Sequence, residues 1–249
     1  MVTRPETRLH FSRFEFKYVL PQALRDQIEA ELQHFVELDP YVVDQPSHEY
    51  FVRSLYFDTP DFACFHDKQD GLHTRAKFRI RTYAQAISDS APAFLEIKGR
   101  YNNLVWKHRS PFDGAFERSL PGDALCRAVL RHVAEGAVRN QFEFELYRRH
   151  LRPVALVDYL RRPYISRFDP DFRLTFDHRL AGAEADSLFP RQVASSRRLL
   201  PGATVMELKF RRHVPAWFHH IIQAYELRRT SVSKICTGMQ ALGLQLATT

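Results

Sequence analysis

The chain has 249 residues, 45% of them apolar, which suits one or two domains with a sizeable buried core. Its net charge of +7 and pI near 9.4 favour an anionic partner only weakly, because scattered surface lysines give the same totals. No run of 18 apolar residues exists, so no membrane segment is expected; Cys64, Cys126 and Cys236, far apart and without a CxxC, suit reduced thiols in a cytoplasmic protein.

Residues 11–19 alternate as a strand, with Arg13, Glu15 and Lys17 on one face and Phe14, Phe16 and Tyr18 on the other. Pro21 then opens a helix whose apolar stripe is Leu24, Ile28 and Leu32. Residues 50–57 form the next strand, and a short helix within 61–70 is stopped by Gly71. The stretch from Arg75 to Tyr83 places Arg75, Lys77, Arg79, Arg81 and Tyr83 on one strand face, with Phe78 and Ile80 opposite. Residues 93–100 and 103–110 make a hairpin about 101–103, carrying Glu96, Lys98, Lys107 and Arg109.

Residues 121–151 read as helical, with Leu125, Val129 and Val133 in period and a break at Gly136. Within them, 141–149 alternates like a strand, yet Val138, Phe142 and Leu146 also fit a helix, which is the reading preferred. Strands follow at 154–161, with Tyr159 and Arg161 facing together, and at 171–177, with Arg173, Thr175 and Asp177 on one side. The polar 182–202 region reads as a surface connection, and Val205–Arg211 is a strand with a second Glu-x-Lys pattern, Glu207 and Lys209. Pro215 starts a helix, and the last short helix covers Ile235–Leu242.

That makes eight strands, most with one apolar and one charged face, and no steady strand–helix alternation. The pattern predicts one α+β domain over residues 1–249: an eight-stranded antiparallel closed β-barrel, the charged face in its lumen and helices packed outside. The candidate lumen cations are Lys17, Arg79, Arg81, Lys98, Lys107, Arg109, Arg161, Arg173, Lys209 and Lys234, with Glu15, Glu96 and Glu207 among them. Such cations can share an interior only if water, carboxylates or a polyanion compensate them. Arginine forks match phosphate oxygens, and a few carboxylates suit a hard divalent ion that keeps phosphate and water ligands. Phosphoryl transfer asks little beyond alignment and charge neutralisation, and the chain has no P-loop, GxGxxG or HExxH.

On any single strand, a solvated face with salt bridges explains the pattern; the same bias on five or six strands weakens that explanation. Nucleic-acid binding competes, since basic sheets bind backbones. A base-stacking sheet would interleave exposed aromatics, whereas here only Tyr83 and Tyr159 stand out among the cations, so no nucleic acid is expected.

The ordered motifs Glu-Phe-Lys-Tyr (15–18), Ser-Leu-Tyr-Phe-Asp-Thr (54–59), Arg-Ile-Arg-x-Tyr (79–83), Leu-Glu-Ile-Lys (95–98), Lys-x-Arg (107–109), Tyr-x-Arg (159–161), Arg-Leu-Thr-Phe-Asp (173–177), Glu-Leu-Lys-Phe (207–210) and Ser-x-Ser-Lys (231–234) cover nearly the whole chain. Together they resemble the VTC domain, the vacuolar transporter chaperone and polyphosphate polymerase-like family within the CYTH-like triphosphate tunnel metalloenzymes. The resemblance implies a tunnel barrel that binds ATP and polyphosphate with Mn²⁺ or Mg²⁺ and moves the terminal phosphate of ATP onto a growing chain. By motif, Arg79, Arg81, Lys98, Arg161, Arg173 and Lys234 would act in catalysis. Lys17, Lys107, Arg109, Lys209, Ser233 and Tyr159 would hold phosphates. Glu207 would hold the metal, with Glu96 and Glu15 as further candidates.

Two departures bear on this. Related triphosphatases carry Glu-x-Glu-x-Lys on the first strand, where this chain has Arg13-x-Glu15-x-Lys17; the exchange favours holding a longer anion over metal-activated hydrolysis. The eukaryotic polymerase also sits beside an SPX domain and membrane helices. Neither is seen here, so export and inositol-phosphate regulation are not expected in this polypeptide, while a separate membrane partner is compatible with it. The alternatives are a triphosphatase of the same fold and a non-catalytic polyphosphate- or nucleotide-binding module.

Overall fold

The computed structural model describes residues 14–87, 91–101, 104–114, 116–192 and 195–244. Arg13, most of the 88–92 loop and the hairpin turn at 102–103 therefore lie outside the described residues. The strands are β1 (Phe14–Pro21), β2 (Val36–Leu38), β3 (Tyr50–Asp58), β4 (Thr74–Thr82), β5 (Ala93–Tyr101), β6 (Leu104–Pro111), β7 (Arg152–Ser166), β8 (Arg173–Glu184), β9 (Arg197–Arg198) and β10 (Ala203–Phe210). The helices are α1 (Gln22–Leu32), α2 (Ala63–Gln69), α3 (Gly122–His132), α4 (Ala137–Arg149), α5 (Ala216–Ala224) and α6 (Lys234–Leu242).

All strands join one antiparallel sheet in the order β1-β10-β8-β7-β3-β4-β5-β6, with β2 added on β7 and β9 on β8. Each of the eight expected strands forms; the two extra ones, three and two residues long, are too short to show a periodicity. The expected closure does not form. Among the described residues no ladder joins β1 to β6, so the sheet is curled and open at that seam. Long side chains span it instead, with Lys98 Nζ of β5 2.6 Å from Glu15 of β1. A ladder would need the two backbones about 4.8 Å apart.

Alternation along the strands sorts the sheet into two faces. Outward-facing Phe78, Ile80, Leu95 and Ile97 pack beneath Leu125, Val129 and Phe142 of α3 and α4. Leu174, Phe176, Met206 and Leu208 pack beneath Ile28 and Leu32 of α1 and Phe218 and Ile221 of α5. The 141–149 segment is thus helical, with Phe142 as its fully buried residue. Gly99 faces outward too, and a Cβ there would fall 2.0 Å from the Trp106 indole, so only glycine lets that ring lie against β5.

The expectation that every helix packs outside fails at α6. Ile235, Cys236 and Met239 pack on Val52, Tyr56, Val157, Tyr159 and Val205, which share the inner face with the cations. Part of that face is apolar, and burying it against α6 removes it from water. The region after β8 is also less superficial than its composition suggests, since Leu188, Phe189 and Leu199 are buried.

Candidate functional site

The inner face encloses a cavity of about 500 Å³. Thirteen lysines and arginines line it against two carboxylates, Glu15 and Glu207. Of the residues singled out in the sequence, Lys17, Arg79, Arg81, Lys98, Lys107, Tyr159, Arg161, Lys209, Ser233 and Lys234 all reach this cavity. They come from β1, β4, β5, β6, β7, β10 and the start of α6, so no local segment could build the site alone.

Glu96 lies beneath the cavity wall with none of its surface exposed. Its Oε2 accepts from Arg79 Nε at 2.8 Å and Nη2 at 2.6 Å, with Arg81 at 3.7 Å, while Lys107 Nζ lies 2.5 Å from Oε1. Burial raises the carboxyl's pKa, but the two arginines and the lysine outweigh it and hold the pKa far below the usual range. Glu96 is a clamp that holds three cations in place. Arg79 bonds one oxygen, Lys107 is ion-paired with the other, and the carboxylate does not line the cavity, so it is not placed to hold a metal there, contrary to its candidacy in the sequence.

Asp177 plays the same part across the cavity, and the sequence reading passed over it. Also fully buried, it receives Arg161 Nε at 2.6 Å, Arg161 Nη2 at 2.8 Å and Lys234 Nζ at 2.6 Å. Burial opposes its charge, yet Arg161 and Lys234 bring its pKa down to about 2. Both cations also approach the Tyr159 ring, Arg161 at 5.4 Å and Lys234 at 4.9 Å, and Arg81 donates to the Tyr159 hydroxyl at 3.2 Å. The signal was legible, because Asp177 shares its strand face with Thr175 and Arg173.

Lys77 was also passed over, although it has the parity of Arg79. Its Nζ donates to Ser233 Oγ at 2.5 Å and lies 3.8 Å from Cys236 Sγ. Tyr56, which accepts from Arg79 at 2.8 Å, joins the wall as well; burial raises its pKa, but Arg79 and Arg81 bring it down to about 8. Burial lowers Lys98 to about 8 and Lys107 to about 7, against the pull of Glu15 and Glu96.

Two expected lumen residues do not reach the cavity. Arg109 is exposed and stacks 4.7 Å over the Phe94 ring. Arg173 has 54% of its side chain exposed, and Asp39 lies 4.0 Å from it. Both occupy positions near strand ends, where the alternation still holds but the enclosure has ended.

Among the described residues, no three His, Cys, Asp or Glu side chains gather into a ready-made ion site. The carboxylates on the cavity wall are Glu207, 3.2 Å from Lys209 and 3.9 Å from Lys17, and Glu15, held by Lys98. They are close enough for each charge to work against the other. Two such carboxylates fit a hard divalent ion that draws its other ligands from phosphate and water, and do not fit an ion held by protein alone.

No curated protein sequence matches this chain. Among solved structures, it is similar to a provisionally named adenylate cyclase from Bacillus halodurans, at 14% identity and a TM-score of 0.53, over 90% of this chain and 94% of that one. That likeness shows a shared fold. Fainter likenesses are to the PH1819 protein of Pyrococcus horikoshii (12% identity, TM-score 0.44, 93% and 99% covered) and the Mimivirus capping enzyme triphosphatase (7%, 0.35, 86% and 89%). The sequence profile of the VTC domain matches residues 12–243, nearly the whole chain, and this chain belongs to the VTC domain family.

Proposed function

We propose that this chain is a metal-dependent polyphosphate polymerase, moving the terminal phosphate of ATP onto a growing polyphosphate chain inside the cavity. The observation that carries the reading is the excess of thirteen lining cations over two carboxylates, more than one triphosphate with a divalent ion would neutralise. In this reading Arg79, Arg81, Lys98, Arg161 and Lys234 align the phosphates, with Lys17, Lys107, Lys209, Tyr159 and Ser233 around them. A terminal chain oxygen attacks the γ-phosphorus, the bond from that phosphorus to the β–γ bridging oxygen breaks, and ADP leaves. The attacking oxygen is already anionic, so no general base is required. Glu207 and Glu15 would hold Mn²⁺ or Mg²⁺, which neutralises developing charge on the phosphates.

A second reading, a binding module without turnover, is favoured by one contact: Lys98 at 2.6 Å occupies a Glu15 oxygen that the ion would need. Incubation with ATP and Mn²⁺, followed by gel and phosphate assays, separates these readings. Polymer plus ADP supports the polymerase, free phosphate without polymer a triphosphatase, and binding without turnover the module. In the polymerase, Glu207→Gln is expected to cost metal-dependent turnover about a hundredfold or more, with folding retained. Full activity of that variant at saturating Mn²⁺ would move the metal role to Glu15.

A further inference from the structure

Cys64, Cys126 and Cys236 are all buried, but the charges around them differ. Cys64 lies beside Asp58, and burial together with that carboxylate pushes its thiol well above the ordinary range. Burial likewise pushes Cys126 up to about 11, with Asp123 adding to the shift. Cys236 instead has a lysine against it: Lys77 Nζ of β4 lies 3.8 Å from its Sγ. We propose that Lys77 and Cys236 form a reversible oxidative cross-link, which takes one cation off the cavity wall and ties α6 to β4. The link is a modification site that stands apart from the polymerase reading, since it needs only these two side chains and a peroxide.

The fold brings a nucleophile and an oxidisable atom together from positions 159 residues apart. Cys236 stands in the first turn of α6, where its backbone N–H donates to the capping Ser233 Oγ at 3.4 Å. Ser233 Oγ also accepts from Lys77 Nζ at 2.5 Å, so one hydroxyl holds the lysine tip beside the helix start. A cation beside the sulfur is a surrounding that reactive thiols share. Lys77, for its part, must present a neutral amine to attack sulfur. Burial lowers its pKa, and Lys17 and Lys68 act the same way, against the pull of Cys236 and Tyr56. A small hollow of about 10 Å³ touches Cys236, and it shares Tyr56, Lys77 and Ile235 with the main cavity. Its size suits about one water-sized molecule, the scale of hydrogen peroxide and not of a phosphate group.

The link forms in two steps. The Cys236 sulfur attacks one peroxide oxygen, the O–O bond breaks, and a sulfenic acid and water form; sulfur gives up two electrons to the peroxide. The lone pair of Lys77 Nζ then attacks that sulfur, and the S–O bond breaks. Hydroxide leaves with the proton that the amine gives up, so a second water and an S–N bond result. Closing the 3.8 Å gap asks for movement of the lysine tip alone, on its flexible four-carbon stem. Two equivalents of a thiol reductant cleave the S–N bond, become a disulfide, and return the free amine and thiol.

The test treats the folded chain with hydrogen peroxide, blocks free thiols and reads tryptic peptides by mass spectrometry. A peptide joining Lys77 to Cys236 is expected, lighter than its two parts by two hydrogens and released by dithiothreitol. Tripolyphosphate affinity should fall about tenfold on oxidation, for the loss of one charge-assisted contact, and recover on reduction. Cys236→Ala should bind tripolyphosphate as the untreated wild type does and ignore peroxide. If circular dichroism shows that variant unfolded, Cys236→Ser takes its place. Cys64→Ser should respond to peroxide like the wild type. Unmodified Cys236, a sulfinic acid without the link, or a disulfide between Cys236 and Cys64 would overturn the proposal, and so would a link that leaves affinity unchanged. A wild type that binds no tripolyphosphate before oxidation would count against the proposed function, while the peptide masses still decide the link.

Discussion

Glu96 and Glu207 stand in the same local pattern, Glu-x-Lys, on the same face of the same sheet, yet they meet different surroundings. Glu96 on β5 has Arg79 and Arg109 as its register partners, and it ends fully buried among two arginines and a lysine. Glu207 on β10 has Lys17 and Thr175 beside it, and among the described residues its ion pairs are with lysines, Lys17 and Lys209. Arginine forks bind a carboxylate at two points and hold it, whereas an ammonium is a single mobile charge that an arriving ion can displace. The identical dipeptide pattern therefore yields a structural clamp in one strand and an available carboxylate in the other. What differs is the neighbouring strand.

Glu96→Gln should break the clamp and gives the largest expected effect. It leaves Arg79, Arg81 and Lys107 without their counter-charge, and the stability loss measured by urea unfolding should be about 3–5 kcal/mol. Added tripolyphosphate should recover part of it by supplying the missing negative charge. A loss below about 1 kcal/mol would show that Glu96 is no more than another lining carboxylate.

Acidity sharpens the same comparison on the lysine side. Burial lowers Lys107 to about 7 and Lys98 to about 8, below the usual lysine value of 10.5. The unfolded chain therefore binds more protons than the folded one between about pH 7 and 10.5, so these two lysines make stability rise with pH across that window. Phosphate binding runs the other way, because a bound polyanion draws the protons back. Tripolyphosphate affinity should fall about tenfold or more from pH 7 to 9, with proton uptake seen by calorimetry in buffers of different ionisation enthalpy. Tyr56, lowered to about 8, adds negative charge over the same range and steepens the fall. A flat profile would mean that Lys98 and Lys107 keep their protons in the empty cavity.

The smallest effects are expected at the strand ends. Arg109→Ala and Arg173→Ala should change tripolyphosphate affinity by no more than about twofold, because exposed charges are screened and neither reaches the cavity. A loss as large as that of Arg161→Ala, measured by the same titration, would place them back among the phosphate ligands.

The sequence was most informative where alternation is long and strict. Arg75-Ala-Lys-Phe-Arg-Ile-Arg displays its two faces without any tertiary knowledge, because side chains on a strand alternate whatever the strand pairs with. Twelve of the residues named as candidate site residues consequently reach one cavity together, and Phe78 and Ile80, read on the opposite face, lie in the core. Parity says which face a side chain occupies. It does not say where along the strand the enclosure ends, which is why Arg109 and Arg173 were expected inside.

Tertiary structure decided the rest, for reasons of distance and register. Closure depends on how far a twisted sheet curls before its edges meet, and here Lys98 and Glu15 span a seam that no ladder fills. The place of α6 depends on an apolar patch assembled from β3, β7 and β10, which no single strand displays. Asp177 and Glu96 became clamps through cations contributed by other elements, up to 57 residues away in the chain for Lys234. Local sequence determined the two faces of each strand through the period of two; only the register between strands determined which charges stand opposite one another.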